Sequence, residues 1–268
     1  MTMHQLSASE LQQRRYYNEI AVTYDKHYSN KFALQYRYGI YDGMLQGISL
    51  ERFNVLDAMC GGGENTGYFL SKGATVTGVD ISERQCEIYQ KRFPLSKVVC
   101  TTVTQTPFPE KHFDMIVTES LHHLHPELSK GVTELHRLLK PGGYLLIWEP
   151  SAGSILDLMR KAWYKFDSKY FQDNEQSISL KRLVRDQSEQ FTLEKYRYGG
   201  NVGYLFVHSS MLFRIPTKWV ETYASALLSV ERLLVPLQTK LTACWVLALF
   251  RKKSFDAIEQ ESCDHHFY

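Results

Sequence analysis

The stretch VLDAMCGGGENTGYFL, residues 55–70, decides the fold class of this 268-residue chain. Its first half is an apolar run that contains Asp57, and Gly61–Gly63 follow where a helix-like segment begins. Glycines at such a junction let the backbone approach a ligand closely and adopt positive φ. The stretch therefore predicts a strand, a ligand-binding loop and a helix.

Met59 occupies the position where loops of this kind usually carry a first glycine. A residue with a side chain favours negative φ, so we expect the first turn of the loop to keep ordinary negative φ. The Met59 side chain must then turn away from the ligand or constrict its pocket.

Seven strand-like runs extend the pattern along the chain. They are FNVLDA, ATVTGVD, KVVCTT, FDMIVTE and YLLIWEP, with FTLEKYRY and ACWVLALF later. Helix-like segments alternate with most of the first five, and the helix before YLLIWEP is expected to stop at Pro141-Gly142-Gly143. Such alternation is typical of βαβ units. The pattern predicts an α/β fold with a doubly wound, mostly parallel seven-stranded sheet covered on both faces.

A single structural domain is expected, because 268 residues suffice for one packed core with additions. Residues 1–50 are helical in pattern and rich in tyrosine, and residues 51–150 carry the first five strands. Residues 151–268 complete the core.

Two insertions, at about 151–178 and 199–240, interrupt the C-terminal part before a final strand at 243–251. The second insertion contains apolar residues at helical spacing, which predict an amphipathic helix ending near Pro236. These residues are Trp219, Tyr223, Leu227, Val230 and Leu234.

The composition narrows the class of protein. With 44% hydrophobic and 22% charged residues the chain resembles an ordinary globular protein. Its net charge of +2 is uninformative, but its Lys and Arg residues are spread along the chain rather than gathered into the basic face of a nucleic-acid binder. Its five cysteines are odd in number and form no CxxC pair, which argues against disulfides and zinc. The polar N-terminal stretch and the lack of a long apolar run lead us to expect a cytoplasmic protein.

The second strand ends in Asp80, 17 positions after Gly63. Ligands of an open parallel sheet bind outside the carboxyl ends of its strands, so Asp80 and the glycine loop are expected at one site. A carboxylate there can accept hydrogen bonds from both hydroxyls of a ribose. Together they predict a nucleoside-containing ligand.

Four segments, VLDAMCGGGENT, VTGVDIS, TPFPEKHFDMIVTESLHHL and ELHRLLKPGGYLLIWEP, resemble the successive motifs of the class I S-adenosylmethionine-dependent methyltransferases. The resemblance covers about residues 50–150 in the right order and spacing. It implies S-adenosylmethionine as the cofactor and a Rossmann-like methyltransferase fold, with N-terminal lid helices and a helical cap insertion in the C-terminal half. No fingerprint of a nicotinamide-dependent dehydrogenase is found.

Carried over by position, the resemblance implies a set of cofactor-binding residues. The glycine loop would hold the methionine end, Asp80 the ribose, Ile81 the adenine, and a tyrosine of the lid helix the cofactor's carboxylate. Thr102 stands where the family often has an acidic residue for the adenine amino group. The alternative for the tyrosines is an aromatic packing stripe. The set is Tyr17, Tyr24, Asp57, Ala58, Met59, Gly61, Gly62, Gly63, Asp80, Ile81, Thr102, Val103 and Glu119.

Methyl transfer from a sulfonium mainly requires alignment, but a base helps when the acceptor must lose a proton. Candidates for that role are His122, Glu119, Glu149 and His27. His123 is expected to serve packing, and Glu149 could instead cap the next segment. No metal is expected, because the adjacent histidines of LHHLH point in different directions and no further ligand completes a set.

Both insertions are rich in aromatic residues, which favours a hydrophobic acceptor: a lipid-like, isoprenoid or aromatic small molecule methylated at oxygen or carbon. The alternative is that these aromatics only pack the cap onto the core. The aromatics are Trp163, Tyr164, Phe166, Tyr170 and Phe171 in the first insertion, and Tyr204, Phe206, Met211, Phe213 and Trp219 in the second.

The sequence is also compatible with other partners and functions. Peripheral membrane contact through the 219–235 helix is an alternative to a purely soluble role. The chain could also use the cofactor without methylation, for example in a cyclisation, or methylate protein or RNA. The Asn-Pro-Pro-aromatic tetrapeptide of many nucleic-acid and amine methyltransferases is absent. No oligomeric state is indicated.

Overall fold

The computed structural model describes residues 6–164 and 176–254, and for Trp163 and Tyr164 only the backbone. Its α-helices are α1 (Ala8–Tyr28), α2 (Lys31–Met44), α3 (Thr66–Ser71), α4 (Glu83–Arg92), α5 (Leu128–Leu138), α6 (Ile155–Tyr164), α7 (Leu180–Asp186) and α8 (Thr217–Leu234). Its strands are β1 (Asn54–Ala58), β2 (Thr75–Asp80), β3 (Lys97–Cys100), β4 (Phe113–Thr118), β5 (Leu139–Pro150), β6 (Phe191–Gly199) and β7 (Trp245–Lys252).

The strands form one seven-stranded sheet in the order β3-β2-β1-β4-β5-β7-β6. The pairs from β3 to β5 are parallel, and β7 runs antiparallel between β5 and β6. The predicted α/β class and the mostly parallel sheet are therefore confirmed. The strand order reverses between β1 and β4, so the crevice at their carboxyl ends is the expected ligand site.

Successive side chains of each central strand enter two different cores. Val55 of β1 packs with α2, α3 and α8 on one face, while Leu56 packs with α5 and α7 on the other. Both faces of the strand are thus covered, which explains why the central strands are continuous apolar runs rather than alternating ones.

The first two helices lie against the core. Ser7 and Glu10 form a reciprocal capping box that starts α1, and Asn30 caps α2 through the N–H groups of Phe32 and Ala33. Asn18 then ties α1 to the start of α4, because its side-chain amide donates to Glu83 Oε2 at 2.8 Å.

The fifth strand begins at Leu139 rather than after Gly143, so the predicted stop at Pro141-Gly142-Gly143 is wrong. Leu139 already pairs with Phe113, and the register then shifts before Tyr144 pairs with Met115. The Pro-Gly-Gly segment is an irregularity within the strand, with Gly142 at a φ of 72°.

Helix α8 is present as predicted, but the prediction of which apolar residues form its buried face is wrong in part. The structure buries Val220, Ala224 and Leu228, and it leaves Trp219 and Val230 exposed. The reason is a tertiary contact: the buried carboxylate of Glu231 accepts hydrogen bonds from the backbone N–H groups of Asn201, Gly203 and Tyr204 and from the Tyr36 hydroxyl. These bonds set the rotation of the helix about its axis.

The aromatic residues predicted to form the first part of the cap give no test of that prediction. Phe166, Tyr170 and Phe171 lie outside the described residues, as do the side chains of Trp163 and Tyr164.

Candidate active site

A cavity lies at the carboxyl ends of β1 to β4, beneath α1. Its empty volume is about 670 Å³, including the solvent at its mouth. Eight of the thirteen residues predicted to bind cofactor line it: Tyr17, Tyr24, Met59, Gly61, Asp80, Ile81, Thr102 and Val103. The other five do not: Asp57, Ala58, Gly62, Gly63 and Glu119.

The loop after β1 departs from the prediction at Met59, whose φ is 57° rather than negative. The chain turns sharply there, because the N–H of the next residue, Cys60, donates to the Val79 carbonyl of β2 at 2.9 Å. The Met59 side chain lines the cavity and also packs against the core on the α5 side of the sheet. Gly63, at a φ of 91°, cannot carry a side chain, since its Cβ would lie 2.5 Å from the Phe93 ring.

Asp57 is completely buried behind this loop. Its carboxylate accepts hydrogen bonds from Asn65 Nδ2 at 3.1 Å and Thr66 Oγ1 at 2.8 Å, at the start of α3. Burial raises its pKa to about 7, although the two hydrogen bonds oppose this rise. The geometry makes Asp57 a brace between β1 and α3, and the structure provides no direct contact between it and the cavity.

Asp80 stands at the end of β2 with its side chain at the cavity wall. Oδ2 accepts the Gly61 N–H at 2.9 Å and Oδ1 accepts the Ser82 N–H at 2.8 Å. Burial raises its pKa to about 6, opposed by these backbone hydrogen bonds. Each carboxylate oxygen can accept a further hydrogen bond, so Asp80 can still receive two hydroxyl donors.

Glu10 is a cavity residue that the sequence analysis missed. Its carboxylate comes from α1, accepts the Thr104 hydroxyl at 2.6 Å and the Ser7 N–H at 2.9 Å, and also accepts the hydroxyl of Thr102. Burial acts to raise its pKa, but these hydrogen bonds outweigh it and the pKa lies below its usual value. The Ser7–Glu10 capping-box pattern was a signal for the start of α1, although not for the Thr102 contact.

The tyrosines of α1 cover the cavity and contact the segment after β4. Tyr17 and Tyr24 both line the cavity, with their rings edge to face at 5.9 Å. The Tyr17 hydroxyl lies 2.8 Å from His123 Nε2, and this contact joins α1 to the 3-10 turn Leu121–His123. His123, rather than His122, is the histidine at the cavity wall.

His122 is paired with Glu149 at the end of β5. Its Nδ1 lies 2.8 Å from Glu149 Oε2, and the backbone N–H groups of Leu121 and His122 donate to the same carboxylate at 2.8 and 3.2 Å. Glu149 is buried, and burial raises its pKa to about 8 against the opposing effect of the two backbone donors. The His122 ring lies beside that of His123, with 3.8 Å between centroids.

None of the four predicted catalytic residues lines the cavity, and Glu119 and His27 make buried contacts elsewhere. Glu119 accepts Arg37 Nη1 at 2.8 Å and the Tyr41 hydroxyl, which links β4 to α2, and burial raises its pKa to about 7 against the effect of Arg37. His27 is buried with its Nδ1 3.2 Å from Ser210 Oγ, and burial lowers its pKa. Their catalytic roles stay predictions.

Comparison with known proteins finds similarity over the part of the chain that carries the cavity. A family model described as a methyltransferase domain matches residues 56–147. A malonyl-[acyl-carrier protein] O-methyltransferase of Enterobacter lignolyticus is 30% identical over 53% of this chain and 56% of its own length. A fatty-acid O-methyltransferase of Mycolicibacterium smegmatis is 29% identical over 44% of this chain and 43% of its own length. The chain spans about half the length of these relatives.

A crystal structure of a SAM-dependent methyltransferase from Archaeoglobus fulgidus shares the fold, with a TM-score of 0.58 and 18% identity over 87% of this chain and 99% of that one. The family match, the relatives and the shared fold support a class I S-adenosylmethionine-dependent methyltransferase domain over residues 56–147. The matched range runs from β1 to β5 and includes the glycine loop, Asp80 and the two histidines.

The second insertion contributes to a buried aromatic cluster next to the methyltransferase domain. The ring of His208, in the π-helical turn Tyr204–His208, lies tilted against Trp148 of β5 with 4.9 Å between centroids, and it contacts Tyr28 of α1 and Tyr36 of α2. These contacts join the insertion to α1 and α2 on the side of the sheet that α8 covers.

Two further properties of the described part of the chain bear on function. Within residues 6–164 and 176–254, no group of three or more His, Cys, Asp or Glu side chains is placed to hold a metal ion. Among the helices of those residues, none is both long enough and apolar enough to span a bilayer.

Proposed function

We propose that this chain is an enzyme that transfers the methyl group of S-adenosylmethionine to an oxygen or carbon of a hydrophobic small molecule. The observation that carries the proposal is the Asp80–Gly61 pair. Asp80 Oδ2 accepts the Gly61 N–H at 2.9 Å, and both residues line the cavity. A carboxylate for ribose hydroxyls and an exposed backbone for the neighbouring part of the ligand thus stand side by side.

The residues along the cavity wall suit the parts of the cofactor in order. Met59 and Gly61 would contact the methionine end and Asp80 would accept the ribose hydroxyls. Beyond Asp80, Ile81 and Val103 offer apolar surface for the faces of the adenine. This order follows the strand order from β1 to β3.

Glu10 would bind the adenine amino group. It meets Thr102, the residue that stands in place of the family's usual carboxylate, and its lowered pKa keeps it ionised at neutral pH. An ionised carboxylate accepts a hydrogen bond from an exocyclic amine and repels a carbonyl oxygen. The lid helix therefore supplies a group that could distinguish adenine from a 6-oxopurine.

S-adenosylmethionine supplies an electrophilic methyl group when it is bound. In its ionised form, Glu149 would accept the Nδ1–H of the His122 ring and leave Nε2 as the hydrogen-bond acceptor. His122 Nε2 would take the proton that the acceptor oxygen or carbon loses on methylation, and the bound cofactor would supply the methyl group. Tyr17, bound to His123, holds α1 over the cavity and limits the entry of water.

The proposed acceptor class is lipid-like, isoprenoid or aromatic. It is supported by the aromatic residues of the second insertion, where Phe206 is 37% exposed and the rings of Tyr204 and His208 stack on each other beside Trp148. The similarity to an O-methyltransferase of fatty acids points the same way.

The test is incubation of the protein with methyl-labelled S-adenosylmethionine and a panel of free fatty acids, isoprenoid quinols and phenols. We expect label in at least one compound and an equal amount of S-adenosylhomocysteine. The Asp80→Ala variant should give neither product. Cofactor binding with no transfer to any extractable compound would instead favour a non-methylating role or a macromolecular acceptor.

A further inference from the structure

Helix α8 exposes a line of apolar side chains on its outer side. Trp219 is 68% exposed, Val230 41% and Leu233 76%, and Leu237 just beyond the helix is 74% exposed. The intervals of 11 and 14 residues from Trp219 to Val230 and Leu233 are about three and four helical turns, so the line follows one side of the helix for about 21 Å.

A second set of exposed apolar residues lies beside the end of this line. Ile155, Leu158 and Met159 of α6 are each exposed by more than half, as is Leu241. The Ile155 N–H donates to the Leu241 carbonyl at 2.9 Å, which places the start of α6 next to the segment that follows α8. The outer face consists of Trp219, Val230, Leu233, Leu237, Leu241, Ile155, Leu158 and Met159.

The outer face is not an alternative core surface of α8. The inner side of the helix, with Val220, Ala224 and Leu228, is already buried against the sheet. Glu231 locks that orientation through its hydrogen bonds to Gly203 and the Tyr36 hydroxyl. Exposed apolar patches of this kind on a folded chain mark contact with another molecule or with lipid.

The charges around the outer face are mainly positive. Over residues 206–241 the exposed basic side chains are Arg214, Lys218, Arg232 and Lys240, whereas Glu221 is the exposed carboxylate. A second copy of the chain in a two-fold dimer would bring the same positive set against itself, which disfavours that occupant. An anionic lipid surface complements both the apolar residues and the surrounding cations.

We infer that the outer face docks this protein onto an anionic lipid surface. Trp219, Leu233 and Leu237 enter the boundary between headgroups and acyl chains, and Lys218, Arg232 and Lys240 contact the headgroup phosphates. Helix α8 packs against the π-helical turn that carries His208, and His208 contacts Tyr28 of α1. Docking therefore places these aromatic residues close to the membrane. The inference goes beyond the proposed function and does not depend on it.

The test is co-sedimentation of the full chain with vesicles of phosphatidylcholine, alone or with about 30% phosphatidylglycerol. We expect the parent protein to bind vesicles that contain phosphatidylglycerol about tenfold more tightly than vesicles without it. The triple variant Trp219→Ser, Leu233→Ser, Leu237→Ser should bind the anionic vesicles about tenfold more weakly than the parent. The matched control is Leu95→Ser, a fully exposed leucine just before β3 at the opposite edge of the sheet, which should bind like the parent.

A second variant tests the charges. Lys218→Gln, Arg232→Gln and Lys240→Gln together should remove most of the preference for anionic vesicles and leave the melting temperature unchanged. Equal binding by the parent and the serine variant, or no binding to either vesicle, would overturn the inference. So would a dimer in sedimentation velocity without lipid that the serine variant dissociates, because that result assigns the face to a second copy.

Discussion

His122 Nδ1 lies 2.8 Å from Glu149 Oε2, at the carboxyl ends of two adjacent strands, β4 and β5. The same carboxylate accepts the backbone N–H groups of Leu121 and His122. A buried carboxylate held in this way fixes both the orientation of the imidazole and the nitrogen that carries its proton.

At a pH above the raised pKa of Glu149, where the parent side chain is ionised, Glu149→Gln should therefore change the tautomer of His122. The glutamine amide would donate to Nδ1, so the proton would move to Nε2 and the base would be lost. We expect turnover to fall by about 10²-fold with little change in KM. Two-bond ¹H–¹⁵N spectra of the histidine rings check the tautomer directly, and an unchanged His122 signal in the variant would refute this role for Glu149.

Glu10→Gln should remove the discrimination between adenine and a 6-oxopurine. The parent should bind S-adenosylhomocysteine about 10- to 100-fold more tightly than S-inosylhomocysteine, since a hydrogen bond to a charged group contributes about 1.5–3 kcal/mol. In the variant that ratio should approach one.

The matched control for Glu10 is Glu127→Gln, another carboxylate of the cavity wall. If Glu10 only docks α1 onto Thr102, its variant weakens both ligands equally and the ratio survives. If the ratio collapses in the Glu127 variant instead, Glu127 is the residue that binds the base.

At position 59, a glycine variant should be more stable than an alanine variant, which is the reverse of the usual order of stability. Both Met59→Ala and Met59→Gly remove the side chain, but only glycine is unstrained at a φ of 57°. We expect the glycine variant to be more stable than the alanine variant by about 1 kcal/mol in urea unfolding. At an ordinary position alanine is the more stable of the two, and that order here would show that the backbone at Met59 is not strained.

Stability should fall as the pH rises from about 5 to about 8. Burial raises the pKa of Asp57 to about 7 and that of Glu149 to about 8, so the folded state holds these protons more tightly than the unfolded chain does. Their contribution is present at low pH and is lost as pH rises through the folded pKa values. Melting temperature against pH measures this slope.

Asp57→Asn should make the slope of melting temperature against pH shallower, because the variant lacks one of the carboxyl groups with a raised pKa. Glu134→Gln is the control, since the Arg137 and Thr106 hydrogen bonds outweigh burial and lower the pKa of Glu134. It should leave the slope between pH 5 and 8 unchanged. A parent protein whose melting temperature rises over this range would contradict the assignment of buried, protonated carboxyls.

The fold was largely predictable because the local sequence patterns indicate strands and helices that match those of the observed sheet. Val55 and Leu56 are both apolar since the two faces of β1 are covered, and Asp80 and the glycine loop meet because parallel strands end at one edge. The pairing of β4 with β5 likewise brings His122 and Glu149 to the same edge.

The details that escaped prediction depend on contacts between distant segments. Glu10 reaches Thr102 from 92 positions away, and no periodicity encodes that contact. The rotation of α8 follows from Glu231 and its backbone donors near Gly203 rather than from the spacing of apolar residues along the helix. The positive φ of Met59 follows from the hydrogen bond between Cys60 and Val79.

The most direct test of the central claim is calorimetric titration of the protein with S-adenosylhomocysteine. We predict saturable binding at one site per chain, weakened by about 10- to 100-fold in Asp80→Ala because the ribose hydroxyls lose their charged acceptor. The absence of binding by the parent, or equal affinity in the variant, would contradict the assignment of this cavity to the cofactor.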